Sequence, residues 1–244
     1  MLFLYFGKRS MTYQIKAFEN GIRIVHQEVS STRLVHCGFI LDIGSRDETE
    51  EQVGLAHFWE HMAFKGTQKR KAFHILNRLD SVGGELNAYT TKEKICFYAT
   101  VLQQHWNKAA DLLCDITFNS TFPPKQIEKE RQVILEEMAM YRDSPDDALQ
   151  DEFDSLLFPD HSLGYNILGT EDSVKSFTQQ DFINFIAEHL DTSKMVFSVV
   201  GNISFKKAVN RLAPLLSNIP TSRSTKKRIP SLTYVPKSNA FHKD

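Results

Sequence analysis

The sequence predicts an α+β fold, a mostly antiparallel sheet with helices packed on one face. Three observations predict it. A pair of alternating apolar runs flanks Asn20-Gly21, which reads as a hairpin over residues 13–26. Further runs rich in branched and aromatic residues lie near 34–43 and 94–101, with the strongest, Met195 to Val200, ending at Gly201-Asn202. Between these strands lie longer stretches whose apolar residues recur at helical spacing.

Length and composition bound the rest. The chain has 244 residues, room for one large domain or two small ones, and 41% hydrophobic content with 18 Phe can fill a sizeable core. Net charge is −1, so nothing calls for a nucleic-acid or polyanion partner. Cys37, Cys96 and Cys114 make no CxxC pair and sit among apolar neighbours, as buried free thiols of a reducing compartment do. Residues 1–11 read as an N-terminal extension: the apolar run is too short for a signal peptide or a span, and Met11 is a candidate start. No later run of eighteen apolar residues exists, so a soluble, cytoplasmic protein without a membrane partner is expected.

In chain order, Asn20-Gly21 is the residue pair of a type I′ turn, joining Tyr13–Phe18 to Ile22–His26. His26 and His36 are single histidines on strands without partners at ligand spacing and are read as structural. Gly44 to Glu48 is turn chemistry, and Lys69-Arg70-Lys71 is a solvated basic loop. A helix over about 72–82 stops at Gly83-Gly84. The run from Glu85 to Thr90 is short and polar, a blunted sheet edge by pattern alone. Helices follow over about 105–118, from Pro124 to Tyr141, over 147–157, 179–189 and 205–216, with a polar loop over about 159–169 containing His161. From Pro220 the composition turns to Thr, Ser, Lys and Pro. The division is an extension (1–11), one domain (12–219) and a linker (220–244).

The stretch Gly54 to Phe64 carries the chemistry. It contains His57-Phe58-Trp59-Glu60-His61, the His-x-x-Glu-His signature. At about 100° per residue, His57 and His61 lie about 40° apart on one helix face, with Glu60 about 60° to the other side of His57. Leu55, Phe58, Trp59 and Met62 form the opposite, core-facing side. Two imidazoles with a carboxylate beside them, and room for a third ligand and a water, suit catalytic zinc.

A third ligand is sought on the long helix. With Ile127 at zero, Glu136 falls at about 180°, in solvent, and Glu137 at about −80°, beside the buried face. Glu130, two turns before Glu137 on almost the same line, is placed for a supporting role.

Three separated blocks, Gly54 to Thr67, Gly83 to Thr90 and Glu130 to Met138, resemble the pitrilysin-type metallopeptidases, which include insulin-degrading enzyme and mitochondrial processing peptidase. The spacing of 76 positions (61 to 137) is that family's. The resemblance implies a zinc endopeptidase domain. Zinc is held by His57, His61 and Glu137, Glu60 is general base for the attacking water, and Glu130 is a nearby carboxylate. It also implies that Asn87 and Ala88, on a strand that pairs with substrate backbone, bind the peptide.

Members of the family are built from paired homologous domains, and the second supplies an Arg and a Tyr that orient substrate. The chain therefore resembles the zinc-bearing half, needing a second homologous domain or subunit, or pairing as a homodimer. Two alternatives stay open. One is a non-catalytic subunit of the same fold; the other is a C–S lyase related to S-ribosylhomocysteine lyase, with Cys96 or Cys114 as third ligand.

Overall fold

The computed structural model describes residues 13–230. The extension at 1–11, Met11 included, and the last part of the linker, 231–244, lie outside the described residues.

β1 (Gln14–Ala17) and β2 (Arg23–Glu28) form the expected hairpin. Its turn differs from the type I′ expectation. That type needs positive φ at both central residues; Gly21 has it (+95°) and Asn20 does not. Phe18 N–H donates to Ile22 O, and Gly21 N–H donates to Phe18 O, which makes a three-residue loop with glycine in the left-handed position. Asn20 is committed elsewhere. Its Nδ2 donates to Leu216 O and Ile219 O, tying the hairpin to the far end of the domain.

β3 (Leu34–Leu41), β4 (Glu85–Thr90), β5 (Ile95–Leu102) and β6 (Val196–Gly201) complete one six-stranded sheet in the order β1-β2-β6-β3-β5-β4. Every pairing is antiparallel except β2–β6. Val35, Cys37, Phe39 and Leu41 face Val101, Ala99, Phe97 and Ile95 across the ladder, and all eight are buried. Most of their alternates, among them Leu34, His36, Ile40, Tyr98, Thr100 and Leu102, are exposed or half-buried, so this face is the more open one.

The helices are α1 (Leu55–Met62), α2 (Ala72–Asp80), α3 (Trp106–Phe118), α4 (Pro124–Asp143), α5 (Pro145–Leu157), α6 (Glu171–Ser176), α7 (Gln179–His189) and α8 (Phe205–Leu216). Pro124 opens α4 at a position where a missing N–H costs nothing. Ser144, extended because Pro145 follows it, separates α4 from α5. α3 packs on β3 and β5, α8 on β2, and α1 on β4, α4 and α7. The core is aromatic where α1 meets the sheet: Phe58, Trp59, Phe97 and Phe182 are fully buried, with Phe58 and Phe182 edge-to-face at 5.2 Å.

The basic run is not uniformly solvated. Lys69 and Lys71 are exposed, whereas Arg70 turns inward to Asp111 and Asp115, where Thr67 also donates to Asp115. The two single histidines are structural: buried His26 bonds Ile203 O at 2.7 Å, and His36 bonds Thr100 on the open face at 3.0 Å. All three thiols are free and buried, and burial pushes Cys37 up to about 12. Among the described residues no helix is long and apolar enough to cross a membrane. Residues 220–230 have no regular secondary structure, yet they run across the domain surface. Ser222 O accepts from Thr192 N–H, Thr225 N–H donates to Glu188 O, and Arg228 pairs with Asp42 and Asp47.

Candidate metal centre

The site begins with how α1 is started. Gly54 has φ +95°, and a Cβ there would lie 2.7 Å from both Gly169 Cα and Leu168 O, so only glycine fits. With no side chain of its own to cap the helix, its place is taken by Glu48. That carboxyl group accepts from Gly54 N–H at 3.0 Å and Ala56 N–H at 2.7 Å, two of the donors a helix start leaves free. Burial pushes Glu48 up to about 8, against the pull of the two amides and of Lys92.

The back of α1 is buried, as its apolar side requires, and the front presents His57 and His61 with ring centroids 4.6 Å apart. Glu137 of α4 comes to meet them. Its Oε2 lies 3.9 Å from His57 Nε2 and 3.5 Å from His61 Nε2. One ligand atom from each of the three side chains lies within 4.8 Å of the others. Glu136, beside it in sequence, is exposed. Glu137 is half-buried, the separation the helical wheel predicts.

Glu130 is buried one step behind the cluster. Its Oε1 is 3.0 Å from His61 Nδ1 and its Oε2 is 2.6 Å from Lys65 Nζ. Burial raises the Glu130 carboxyl, but the hydrogen bonds and charges of His61 and Lys65 outweigh it and hold the group below its ordinary value. A carboxylate there accepts from His61 Nδ1–H, and Nε2 is the nitrogen turned toward Glu137. His57 is held neutral: burial, and then the neighbouring His61, bring it down to about 3. Two imidazole nitrogens and a carboxylate oxygen thus converge at distances too long for good hydrogen bonds. A divalent cation answers that arrangement, and the N, N, O donor set suits zinc with a coordination position left open.

Glu60 stands beside the cluster. Burial raises its carboxyl, while Thr90 Oγ1, donating to Oε2 at 2.5 Å, pulls the other way. Thr90 ends β4, whose outer side is the free edge of the sheet. Asn87 is exposed on that strand; Ala88 is half-buried, opposite Phe97. Cys96 and Cys114 are not in the metal-capable cluster.

Sequence reasoning left out three residues of this environment. Lys65 carried only its position four residues after His61, and it lies beyond the end of α1 at Met62. Thr90 was visible only as a strand residue, and Glu48 only as one acid among several in a turn.

Residues 23–171 match the family profile described as insulinase, peptidase family M16. The chain belongs to that family, the pitrilysin family. Residues 176–243 match a second profile, described as the peptidase M16 inactive domain, which takes in the segment from 220 onward. An uncharacterized zinc protease of Bacillus subtilis is 43% identical over 186 residues, 76% of this chain and 46% of that relative. A probable mitochondrial-processing peptidase subunit beta of Arabidopsis thaliana is 37% identical over 214 residues, 86% of this chain and 40% of that one. Solved structures share the fold. A protease from Helicobacter pylori superposes with a TM-score of 0.82 at 21% identity, over 91% of this chain and 53% of that one. Pitrilysin gives 0.82 at 22% identity, over 93% of this chain and 25% of that one. The chain spans about half the length of the curated relatives it matches.

Proposed function

We propose that this chain is the zinc-bearing half of a metallo-endopeptidase that cleaves peptides or unfolded polypeptides. The observation that carries the reading is the convergence of His57 Nε2, His61 Nε2 and the Glu137 carboxylate within 4.8 Å, with Glu60 alongside. His57, His61 and Glu137 would hold the metal, and a bound zinc ion supplies Lewis-acid polarisation of the scissile carbonyl and of water.

Glu60 is the general base. Thr90 engages Oε2, and Oε1 takes the proton of the attacking water and passes it to the leaving amine. A carboxyl raised by burial suits that exchange, since it holds the proton between the two transfers. Glu130 keeps the His61 proton on Nδ1 and Lys65 keeps Glu130 ionised. The free edge of β4 at Asn87 and Ala88 receives an extended substrate by backbone pairing.

A second homologous domain or subunit, or a second copy of this chain, completes the substrate site. The retained ligand set speaks for a peptidase over a non-catalytic subunit, and a carboxylate rather than a cysteine beside the two histidines speaks against the lyase.

The test is zinc content together with hydrolysis of a quenched fluorescent peptide library, with and without chelator. Stoichiometric zinc, with chelator-sensitive cleavage once a partner half is added, is the expected result. A chain that takes up no zinc, or that keeps it after His57→Ala, would sink the proposal.

A further inference from the structure

After α8 the chain turns back over the domain, and Arg228 is where it takes hold. The guanidinium meets Asp47 as a fork, Nε to Oδ1 at 2.8 Å and Nη2 to Oδ2 at 2.9 Å. Nη1 reaches Asp42 Oδ1 at 2.7 Å, and Nη2 also donates to Glu93 O at 3.0 Å. Such two-pronged pairs fix orientation as well as distance.

Asp47 belongs to the tight turn over 44–48, and its Oδ2 also accepts from Gly44 N–H at 2.9 Å. The same turn is gripped again through Arg46. Its Nη2 donates to Ile229 O at 3.0 Å, its Nη1 pairs with Glu93, and its carbonyl accepts from Ser162 Oγ at 2.6 Å. The turn cannot tilt without breaking these contacts. The residue that follows Asp47 is Glu48, whose carboxyl group is the side-chain cap of α1, because Gly54 offers none.

We propose that Arg228 is a positioning residue for the metal helix: by clamping Asp47 it holds Glu48 on the Gly54 and Ala56 amides, and so fixes how α1 presents His57 and His61 to Glu137. The consequence is a mechanical link between segment 220–230 and the start of the helix that carries His57 and His61. A change in that segment is felt at α1 through two adjacent residues. The zinc part of this inference rests on the proposed function, while the helix part does not.

The test uses the whole chain and two readouts. Amide hydrogen exchange at Gly54 and Ala56, followed by NMR on zinc-free protein, reads the cap. Competition with a chromogenic chelator reads zinc affinity. Arg228→Ala should speed exchange at those two amides, leave the amides of α8 unchanged, and weaken zinc binding by about 2- to 30-fold. Arg223→Ala is the control, since Arg223 lies on the same strap but pairs with Asp191 and does not touch the turn; it should do neither. Glu48→Gln added to Arg228→Ala should cost less than it does alone, because both act on one contact.

If Arg228→Ala does not fold, Arg228→Lys, which keeps the charge and loses the fork, and Asp47→Asn should each give a weaker form of both effects. Unchanged exchange at Gly54 and Ala56 in whichever of these folds, or equal effects from Arg223→Ala, would overturn the inference. A wild-type chain that binds no zinc overturns the proposed function instead, and the exchange measurement still decides this one.

Discussion

Thr90 Oγ1 donates to Glu60 Oε2 over 2.5 Å, so the last residue of the edge strand holds the carboxylate that stands beside the metal-capable cluster. The bond joins two elements with different tasks. In the proposed function α1 supplies the histidines and the acid/base, and β4 supplies the free edge along which a peptide would lie. A hydrogen bond to a charged, partly buried group contributes about 1.5–3 kcal/mol. That is enough to fix the reactive carboxylate relative to the strand that would carry the substrate.

Thr90→Val should therefore lower kcat for peptide cleavage while zinc content stays at the wild-type level. Thr90→Ser, which keeps the hydroxyl, should recover most of the loss. Glu60→Gln should likewise keep zinc and abolish turnover. Measured side by side, the three variants separate positioning from chemistry. Full activity in Glu60→Gln would remove the base assignment.

The two adjacent glutamates of α4 give a second prediction. Glu137→Gln should weaken zinc binding strongly, and Glu136→Gln, on the exposed side, should leave it unchanged. Glu130→Ala should fall between them, at a loss of about 10- to 100-fold, the usual effect of removing the carboxylate behind a metal-binding histidine. A zinc titration against a competing chelator ranks the three, and equal effects at 136 and 137 would refute the wheel argument.

What the sequence made legible is what periodicity can carry. The face of α1 and the division between Glu136 and Glu137 follow from 100° per residue, because both helices have one buried side and long enough runs to define it. The parallel β2–β6 pairing was not legible, since β6 arrives about 170 residues after β2 and inserts between β2 and β3. α6 went unforeseen because six residues give less than two turns of pattern. Glu48 and Arg70 looked like surface charges in polar runs. Their burial is decided by distant partners, the α1 amides for one and Asp111 with Asp115 for the other. Segment 220–230 has linker composition, and its attachment is made by partners distant in sequence, among them Thr192, Glu188 and, for Arg228, Asp42 and Asp47.

Two glycines with left-handed backbones should respond differently to alanine. At Gly83, φ is +69° and nothing lies within 4 Å of an added Cβ, so Gly83→Ala should cost only the backbone penalty of about 1–2 kcal/mol. At Gly54 the added carbon meets the backbone of Leu168 and Gly169 at 2.7 Å, which no side-chain movement relieves. Gly54→Ala should cost clearly more and should also disturb zinc binding, because the displaced residue starts α1. Denaturant midpoints and zinc affinity for the pair check both parts, and equal stability losses would contradict the argument.

The buried cap of α1 carries a pH dependence of definite sign. The Glu48 carboxyl is raised from its ordinary 4.5 to about 8, mainly because its charged form loses hydration. The folded protein then holds a proton that the unfolded chain has released throughout that interval. Stability from this group is complete below about pH 4.5 and declines as pH rises toward 8, with a slope of at most about 1.4 kcal/mol per pH unit. Glu48→Gln keeps the shape and an acceptor oxygen but cannot ionise, so it removes the decline. Urea unfolding of wild type and variant at pH 5, 6.5 and 8 should show the wild type losing ground steadily to Glu48→Gln. Parallel stability across the three values would mean that the two amide bonds, and not burial, decide the charge of Glu48, and that the helix start is capped by a carboxylate throughout.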